Sequence, residues 1–549
     1  MNSFEKLCHD YTDFLTKKFN LSPNQVSTIA LELNTNESKS SFGDLSSNAA
    51  MVLAKQLKQS PRTIAQEIID SFCNNSVEKI EIAGPGFINI FLTTKAFNQW
   101  SHEIFTQNSS YFTPSTKENK SYSIEFVSAN PTGPLHFGHG RGGIIGDVLG
   151  NILHFLGHSV TKEFYINDAG AQMQKLGNTL KIRCLQALGS SCTLPENSYQ
   201  GEYMVDLAKQ CIEEFGTEIE KKDDTFFIEY GKKELLAKIK STLLEYGISY
   251  DVWFSEKSLH TSDAINKALE VLKKRGFLYE KDNALWFKST EFNDDKDRVV
   301  KKSDGSFTYV AADIAYMLNK VNRGASDLIM ILGHDHHSYA VRLQALQQAL
   351  DLEKFPLTVL LYQLVKMKNH GEVVRMSKRA GNIVTLHDII KEVGKDVARF
   401  FFLHRKADAQ LEFDLKLALE KTDANPVYYV QYAYVRTLSI LKKAKELHPE
   451  ITPGHDNNYQ PASHERNLIK KIIQLKTLLT TIEKNHQTHL LTYYSIELAQ
   501  AFHNYYSHVR VIDPSNKNTM QHRLMLITLV RDTLGLVLKL LGLSQPSKM

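Results

Sequence analysis

No stretch of this 549-residue chain approaches the ~20 consecutive apolar residues of a membrane span. The opening residues, Met1-Asn-Ser-Phe-Glu-Lys-Leu-Cys-His-Asp10, lack the apolar centre of a secretory leader. A cytoplasmic chain with no membrane attachment is therefore expected. Cysteine is scarce: Cys8, Cys73, Cys184, Cys192 and Cys211 are an odd number with no Cys-x-x-Cys pair. That speaks against a disulfide scaffold and a thiolate zinc site, and leaves reduced, largely buried thiols as the expectation. Internal repeats and low-complexity tracts are missing too. Net charge is only +4, but it is unevenly placed, with 16 Lys and Arg against 9 Asp and Glu from Lys421 onward and −3 for everything before. A polyanion such as RNA would use that basic quarter, although a solvated helical surface has the same composition.

What is present is a soluble globular composition, 42% hydrophobic and 23% charged, on a chain long enough for roughly three or four domains. Residues 1–105 read as a small α+β unit. Ser60 precedes Pro61 as a cap before the first helical position, with Ile64, Ile68, Ile69 and Phe72 at helical spacing, and two strands, Lys79–Ile82 and Phe87–Leu92, flank a Gly-Pro-Gly turn. The polar stretch 106–121 reads as a linker. From Tyr122 the pattern is strand, loop, helix, strand: Ser123–Val127, then apolar residues from Ile144 to Leu153 on one helical face, then Ser159–Ile166. Such a βαβ unit predicts a parallel, Rossmann-like sheet with its ligand at the carboxyl ends of the strands. Thr308–Ala312, Leu328–Leu332 and Leu357–Leu361 are expected to complete that sheet within 122–407, around a charged helical insertion over about 175–290. From 408 to 549 the pattern is helical.

Two short stretches carry chemistry. Pro131-Thr-Gly-Pro-Leu-His-Phe-Gly-His-Gly-Arg141 puts two imidazoles and several glycines where a helix should begin. Helix amino termini bind phosphates, imidazoles can hydrogen-bond a triphosphate as charge develops, and Gly138 and Gly140 let an adenine or ribose approach the backbone. Alone, His-x-Gly-His also reads as a turn with two ordinary histidines. Arg375-Met-Ser-Lys-Arg-Ala-Gly-Asn382 is a basic loop able to fold over β- and γ-phosphates, or simply a solvent-facing one. Together, and in this order, they fit adenylate transfer.

The pair resembles the two signatures of class I aminoacyl-tRNA synthetases. Longer strings, Glu125–Arg141, Gly333-His-Asp-His-His-Ser-Tyr339, Val374–Asn382 and Asn425-Pro-Val-Tyr-Tyr-Val-Gln-Tyr432, resemble the bacterial arginyl-tRNA synthetase family in particular. Phe42–Leu45 and Ala83–Phe87 resemble its amino-terminal extension; Ala398–Leu403 and Leu540–Leu543 resemble its helical region. The resemblance implies an α/β multidomain chain with an N-terminal α+β domain that contacts tRNA, a catalytic Rossmann-like domain and a C-terminal all-α anticodon-binding domain. It implies an arginine-tRNA ligase that joins L-arginine and ATP into arginyl-adenylate, then transfers arginine to the 2′-hydroxyl of tRNA(Arg). ATP would arrive with Mg²⁺, with no structural zinc, and the chain would be a monomer that needs tRNA even for activation.

The resemblance also implies site residues. His136, His139 and Lys378 are the catalytic set; Pro131, Thr132, Gly133, Gly138, Arg375, Met376, Ser377 and Arg379 join them around ATP. Glu125 and Asp313 are expected to face the substrate guanidinium, which demands carboxylates. Ser128, Asn130 and His139 would hold the amino-acid end, with Tyr309 and His337 completing the pocket. Arg375 stands where class I loops usually have a first lysine, and Arg379 where they have a final serine. The run His334–His337 tempts a zinc reading, but consecutive spacing suits a tetrahedral site poorly. Tyr493, Tyr494, Tyr505 and Tyr506 offer stacking surfaces for anticodon bases, or core packing. Rival readings are a class I synthetase for another amino acid and a silent RNA-binding protein; intact His136, His139 and Lys378 speak against the second.

Overall fold

The computed structural model describes residues 1–35, 41–114, 119–369, 372–373 and 384–549. The chain forms two compact units. One holds Glu118–Glu420 with Gln487–His489; the other joins Met1–Lys117 to Lys421–His486 and Leu490–Met549.

The first unit is built on five parallel strands, β1 (Ser121–Phe126), β2 (Ser159–Ile166), β3 (Val252–Ser255), β4 (Asp327–Gly333) and β5 (Leu357–Tyr362), in the order β5-β4-β1-β2-β3. β4 is apolar and buried along most of its length, as a strand covered on both faces must be, and β1 is as buried although Ser123 and Glu125 stand among its apolar residues. The connection from β1 goes to β2 on one side while β4 lies on the other, so the order reverses between β1 and β4. A crevice at the carboxyl ends of those two strands follows.

Helix α1 (His139–Phe155) covers β1 and is buried along nearly its whole length. Gly146 explains how close it lies: a Cβ there would sit 2.3 Å from Cγ of Phe126 on β1. Asp147 ties α1 to its neighbours, 2.6 Å from Lys162 on β2 and 2.5 Å from Arg399 on helix Lys395–Leu403. Burial alone would push its carboxyl up, but Arg399 and Lys162 hold it below the usual range. Arg141, also fully buried, donates to the carbonyls of Gln363 and Lys406 at 2.8 Å each.

Four expectations are corrected. Thr308–Ala312 is no strand: helix α2 (Tyr309–Asn322) begins there, because the buried series Val310, Ala311, Ile314, Ala315 and Met317 continues at helical spacing. The insertion does not run unbroken from 175 to 290. Helices Ala171–Ala187, Glu202–Phe215 and Asp224–Glu245 share a core around Leu176, Met204 and Phe227, but β3 then returns to the main sheet. Within 106–121, Tyr111 and Phe112 are buried in a short helical turn and Ser121 opens β1, so this segment is not a polar linker throughout. Leu411–Asp414 pairs in parallel with Val365–Asn369, which keeps the chain beyond 408 in the first unit as far as Glu420.

The second unit combines an antiparallel sheet, Leu31–Leu33, Leu45–Ser47, Phe87–Leu92 and Val77–Ala83 in that spatial order, with long helices Pro426–Leu447, Ser463–Asn485 and Lys517–Leu541. Ser60 caps helix Pro61–Ser71 by accepting from the Thr63 N–H. Sheet and helices lock together through Lys470 to Asp44 at 3.2 Å, Lys476 to Glu5 at 2.7 Å, and Asn98, whose amide donates to the carbonyls of Asn457 and Tyr459.

Candidate active site

The site grows out of the end of β1. Val127 has φ 68° and Ser128 φ 40°, and the Ser128 N–H donates to the Phe126 carbonyl at 3.0 Å, which makes a tight γ-turn centred on a β-branched residue. Such a conformation is strained and survives only where neighbours dictate it. Here Tyr250 donates to the Phe126 carbonyl at 3.1 Å, the Tyr165 N–H donates to the Ser128 hydroxyl oxygen at 3.1 Å, and the Ser128 hydroxyl donates to Glu125 at 3.1 Å. The turn throws the next segment across the sheet edge. Thr132 donates its N–H to the Asn130 carbonyl, and Tyr203, from helix Glu202–Phe215, donates to the Thr132 carbonyl at 2.8 Å.

That segment enters α1 with His139 as its first residue. The rings of His136 and His139 stack, centroids 3.7 Å apart at 28°. Gly138 makes the stack possible, since a Cβ there would lie 2.9 Å from Cε1 of His136. The paired imidazoles thus sit at the positive dipole end of a buried 17-residue helix, whose first two N–H groups, of His139 and Gly140, donate to the His136 and Phe137 carbonyls at 3.0 Å each.

Residues just beyond the second basic stretch pair with the first. The Phe137 N–H donates to the Val384 carbonyl at 3.1 Å, the Leu386 N–H donates to the Leu135 carbonyl at 2.8 Å, and His136 bridges Thr385. The run Arg375, Met376, Ser377, Lys378 and Arg379 lies outside the described residues, but its carboxyl-terminal exit is fastened to the histidine segment.

Across the crevice, Asp313 on α2 accepts from the Tyr339 hydroxyl at 2.8 Å through Oδ1, while Oδ2 is buried and accepts from no donor. Burial pushes its carboxyl up to about 7, against the pull of the Tyr339 hydroxyl and the Arg342 guanidinium. Glu125, 5% exposed, accepts from the Lys320 ammonium at 2.6 Å. Tyr309, at the first turn of α2, is 58% exposed. His337 opens helix α3 (His337–Ala349) and, with His334, Asp335 and His336, faces solvent.

These surroundings have close counterparts. Residues 11–92 match the family described as "Arginyl tRNA synthetase N terminal domain", 102–408 "tRNA synthetases class I (R), catalytic domain", and 430–549 "DALR anticodon binding domain". The chain is 43% identical over 513 residues to arginine–tRNA ligase 1 of Halalkalibacterium halodurans, covering 92% of each, and 44% identical over 517 residues to the arginine–tRNA ligase of Caldanaerobacter subterraneus, again 92% of each. The chain belongs to the arginyl-tRNA synthetase family. A solved structure described as a putative arginyl-tRNA synthetase from Campylobacter jejuni superposes with a TM-score of 0.76 at 33% identity, covering 83% of this chain and all of that one. The Thermus thermophilus arginyl-tRNA synthetase shares the fold, at a TM-score of 0.75 and 20% identity, over 99% of this chain and 100% of its own.

Among buried residues of the site that the sequence did not expose, Lys320 stands out: a single lysine on an amphipathic helix, two turns after Asp313, reads as a solvated side chain until its burial is seen. In the second unit a groove of about 790 Å³ is lined by Tyr432, Arg436, Lys443, Tyr506 and Arg510. The Arg436 guanidinium lies 4.8 Å over the Tyr506 ring and donates to the Tyr432 hydroxyl at 3.2 Å. Tyr494 and Tyr505 instead are buried in the helical core.

Proposed function

We propose that this chain is an arginine–tRNA ligase. ATP, entering as its magnesium complex, lies along the amino end of α1 with its phosphates against His136, His139 and the positive end of the helix dipole. Pro131, Thr132, Gly133 and Gly138 shape the bed for its nucleoside, and the stretch Arg375–Arg379, Lys378 above all, closes on the β- and γ-phosphates. The arginine carboxylate attacks the α-phosphorus, and pyrophosphate leaves. No general base is required, because the nucleophile is already an anion; positioning and electrostatics at the phosphate carry the rate.

The amino-acid end rests against Ser128, Asn130 and His139, and the side chain runs past Tyr309 and His337 toward Asp313, with Glu125 behind it. The 2′-hydroxyl of the terminal adenosine of tRNA(Arg) then attacks the adenylate carbonyl and AMP leaves. Unpaired anticodon bases dock in the basic, aromatic groove around Arg436 and Tyr506, where ring and guanidinium planes give stacking surfaces. We place the chain in the cytoplasm as a monomer.

One observation carries the amino-acid choice: Asp313, lining a small cavity with Tyr316, Lys320 and Tyr339, keeps a buried oxygen without a donor, which a guanidinium would satisfy with a charge-assisted pair. The test is ATP–pyrophosphate exchange with the purified protein, offered each standard amino acid in turn, with and without total tRNA. Exchange with arginine alone, and only with tRNA present, is the expected result. Exchange with another amino acid would remove Asp313 from its role, and none at all would favour a silent RNA-binding protein.

A further inference from the structure

Glu125 and Asp313 pose a problem that the proposed arginine pocket does not by itself resolve. Two carboxylates in a dry crevice repel each other before any substrate arrives. Yet they are not alike. Oε2 of Glu125 takes the Lys320 ammonium at 2.6 Å and Oε1 takes the Ser128 hydroxyl at 3.1 Å, so both of its oxygens are engaged. Asp313 has one oxygen on Tyr339 and one bare. Lys320 is 3% exposed, lies 4.5 Å from the Tyr316 ring, and lines the same small cavity as Asp313, Tyr316 and Tyr339. A buried ion pair of this kind adds little net stability over a well-packed apolar pair, so its worth lies elsewhere.

We propose that Lys320 is a positioning residue of the arginine pocket: it fixes the Glu125 carboxylate and offsets part of its charge, so that the substrate guanidinium is read through Asp313, with Glu125 as the internal anchor of Lys320. This rests on the arginine–tRNA ligase reading and sharpens it. The groups that face Asp313 are Glu125 from β1, Tyr165 from β2, Glu256 from helix Glu256–Thr261, Tyr339 and Arg342 from α3, and Lys320 two turns along its own helix. Of these, Glu125 and Glu256 favour the protonated acid and Arg342 the anion. Removing Lys320 would leave Glu125 uncompensated and raise the pH at which Asp313 can bind a cation.

The experiment measures arginine KM, ATP KM and kcat between pH 6 and 9 for Lys320→Met, Glu125→Gln, the double variant and Asp313→Asn. In the parent, arginine KM should fall as pH rises through about 7, where Asp313 ionises. Lys320→Met should raise arginine KM at pH 7 about tenfold or more, move its pH dependence upward by about one unit, and leave ATP KM within about twofold. The double variant, which has no unpaired charge, should show a lower arginine KM than Lys320→Met alone and a pH dependence moved back toward the parent's; should Lys320→Met fail to fold, the pH dependence of the double variant alone carries the test. A parental KM and pH profile in Lys320→Met, or a double variant at least as impaired in arginine KM as Lys320→Met, overturns the proposal. An unchanged arginine KM in Asp313→Asn overturns the pocket reading and this proposal with it, whereas a raised KM there beside a parental Lys320→Met overturns this proposal alone.

Discussion

Asp313 keeps one carboxylate oxygen bonded and the other bare, and its proton equilibrium follows from that. Its carboxyl is raised from the ordinary 3.8 to about 7 chiefly by burial, so between those values the folded chain holds a proton that the unfolded chain has released. Without arginine, this residue's contribution to stability is therefore full below about pH 4 and is lost as pH rises through about 7. Asp313→Asn should abolish that slope and, at pH 8, leave the protein more stable by roughly 2 kcal/mol while weakening arginine binding at least a hundredfold. Thermal melts across pH 5 to 9 check this; a variant that melts below the parent at pH 8 would show that the ionised carboxylate is satisfied by a donor besides Tyr339. The sequence singles out Asp313, Glu125, His136 and His139 through the resemblance of the strings around them to a family, and the structure buries the carboxyls of Asp313 and Glu125 and stacks the two imidazoles. Lys320 was not, because its partner lies 195 residues away along the chain and only folding puts them together.

At the scale of elements, α1 shows why a glycine-rich helix can be the most constrained part of the chain. Alanine is favoured over glycine by about 1 kcal/mol inside a helix. Propensity alone therefore predicts that Gly146→Ala stabilises the protein. The added Cβ would instead meet the Phe126 ring at 2.3 Å, deep in the contact between α1 and β1, and relief requires the helix to lift off its strand. Overpacking of that kind outweighs the propensity gain, so a net loss of about 1–3 kcal/mol is expected, with arginine and ATP affinities both reduced as the His136–His139 stack shifts. A raised melting temperature in Gly146→Ala would refute the close approach. β4 could be read from its apolar run between turn residues, because a strand buried on both faces carries that signal, while β5, half-buried at the sheet edge, and the βαβ start showed through their β-branched and apolar residues beside turn residues. Thr308–Ala312 deceived because five residues with a β-branched or aromatic start satisfy strand and helix templates alike. β3, four residues long, has too little length to stand out between helices.

At the scale of the whole molecule, a first division at about residue 105 suggests that the amino-terminal segment can be removed cleanly. The packing argues otherwise. Residues 1–117 form one unit with the chain from Lys421 onward, fastened by the buried Asp44–Lys470 pair, by Glu5–Lys476 and by the Asn98 amide on the carbonyls of Asn457 and Tyr459. Deleting 1–105 would strand Lys470 without its carboxylate and open apolar side chains of the long helices to water, a far larger loss than a missing RNA contact. The deleted chain should therefore show an early melting transition and rapid proteolysis between Pro426 and Leu541, while Glu118–Glu420 stays protected. Arg436→Ala offers the contrast. It removes a cation from the groove beside Tyr506 without disturbing these ties, so it should raise the KM for tRNA about tenfold with the melting curve and arginine KM unchanged. If the deletion instead behaves like Arg436→Ala, lowering charging with an intact melting curve, then the amino-terminal segment acts on tRNA alone and the ion pairs between it and the helices carry no structural weight.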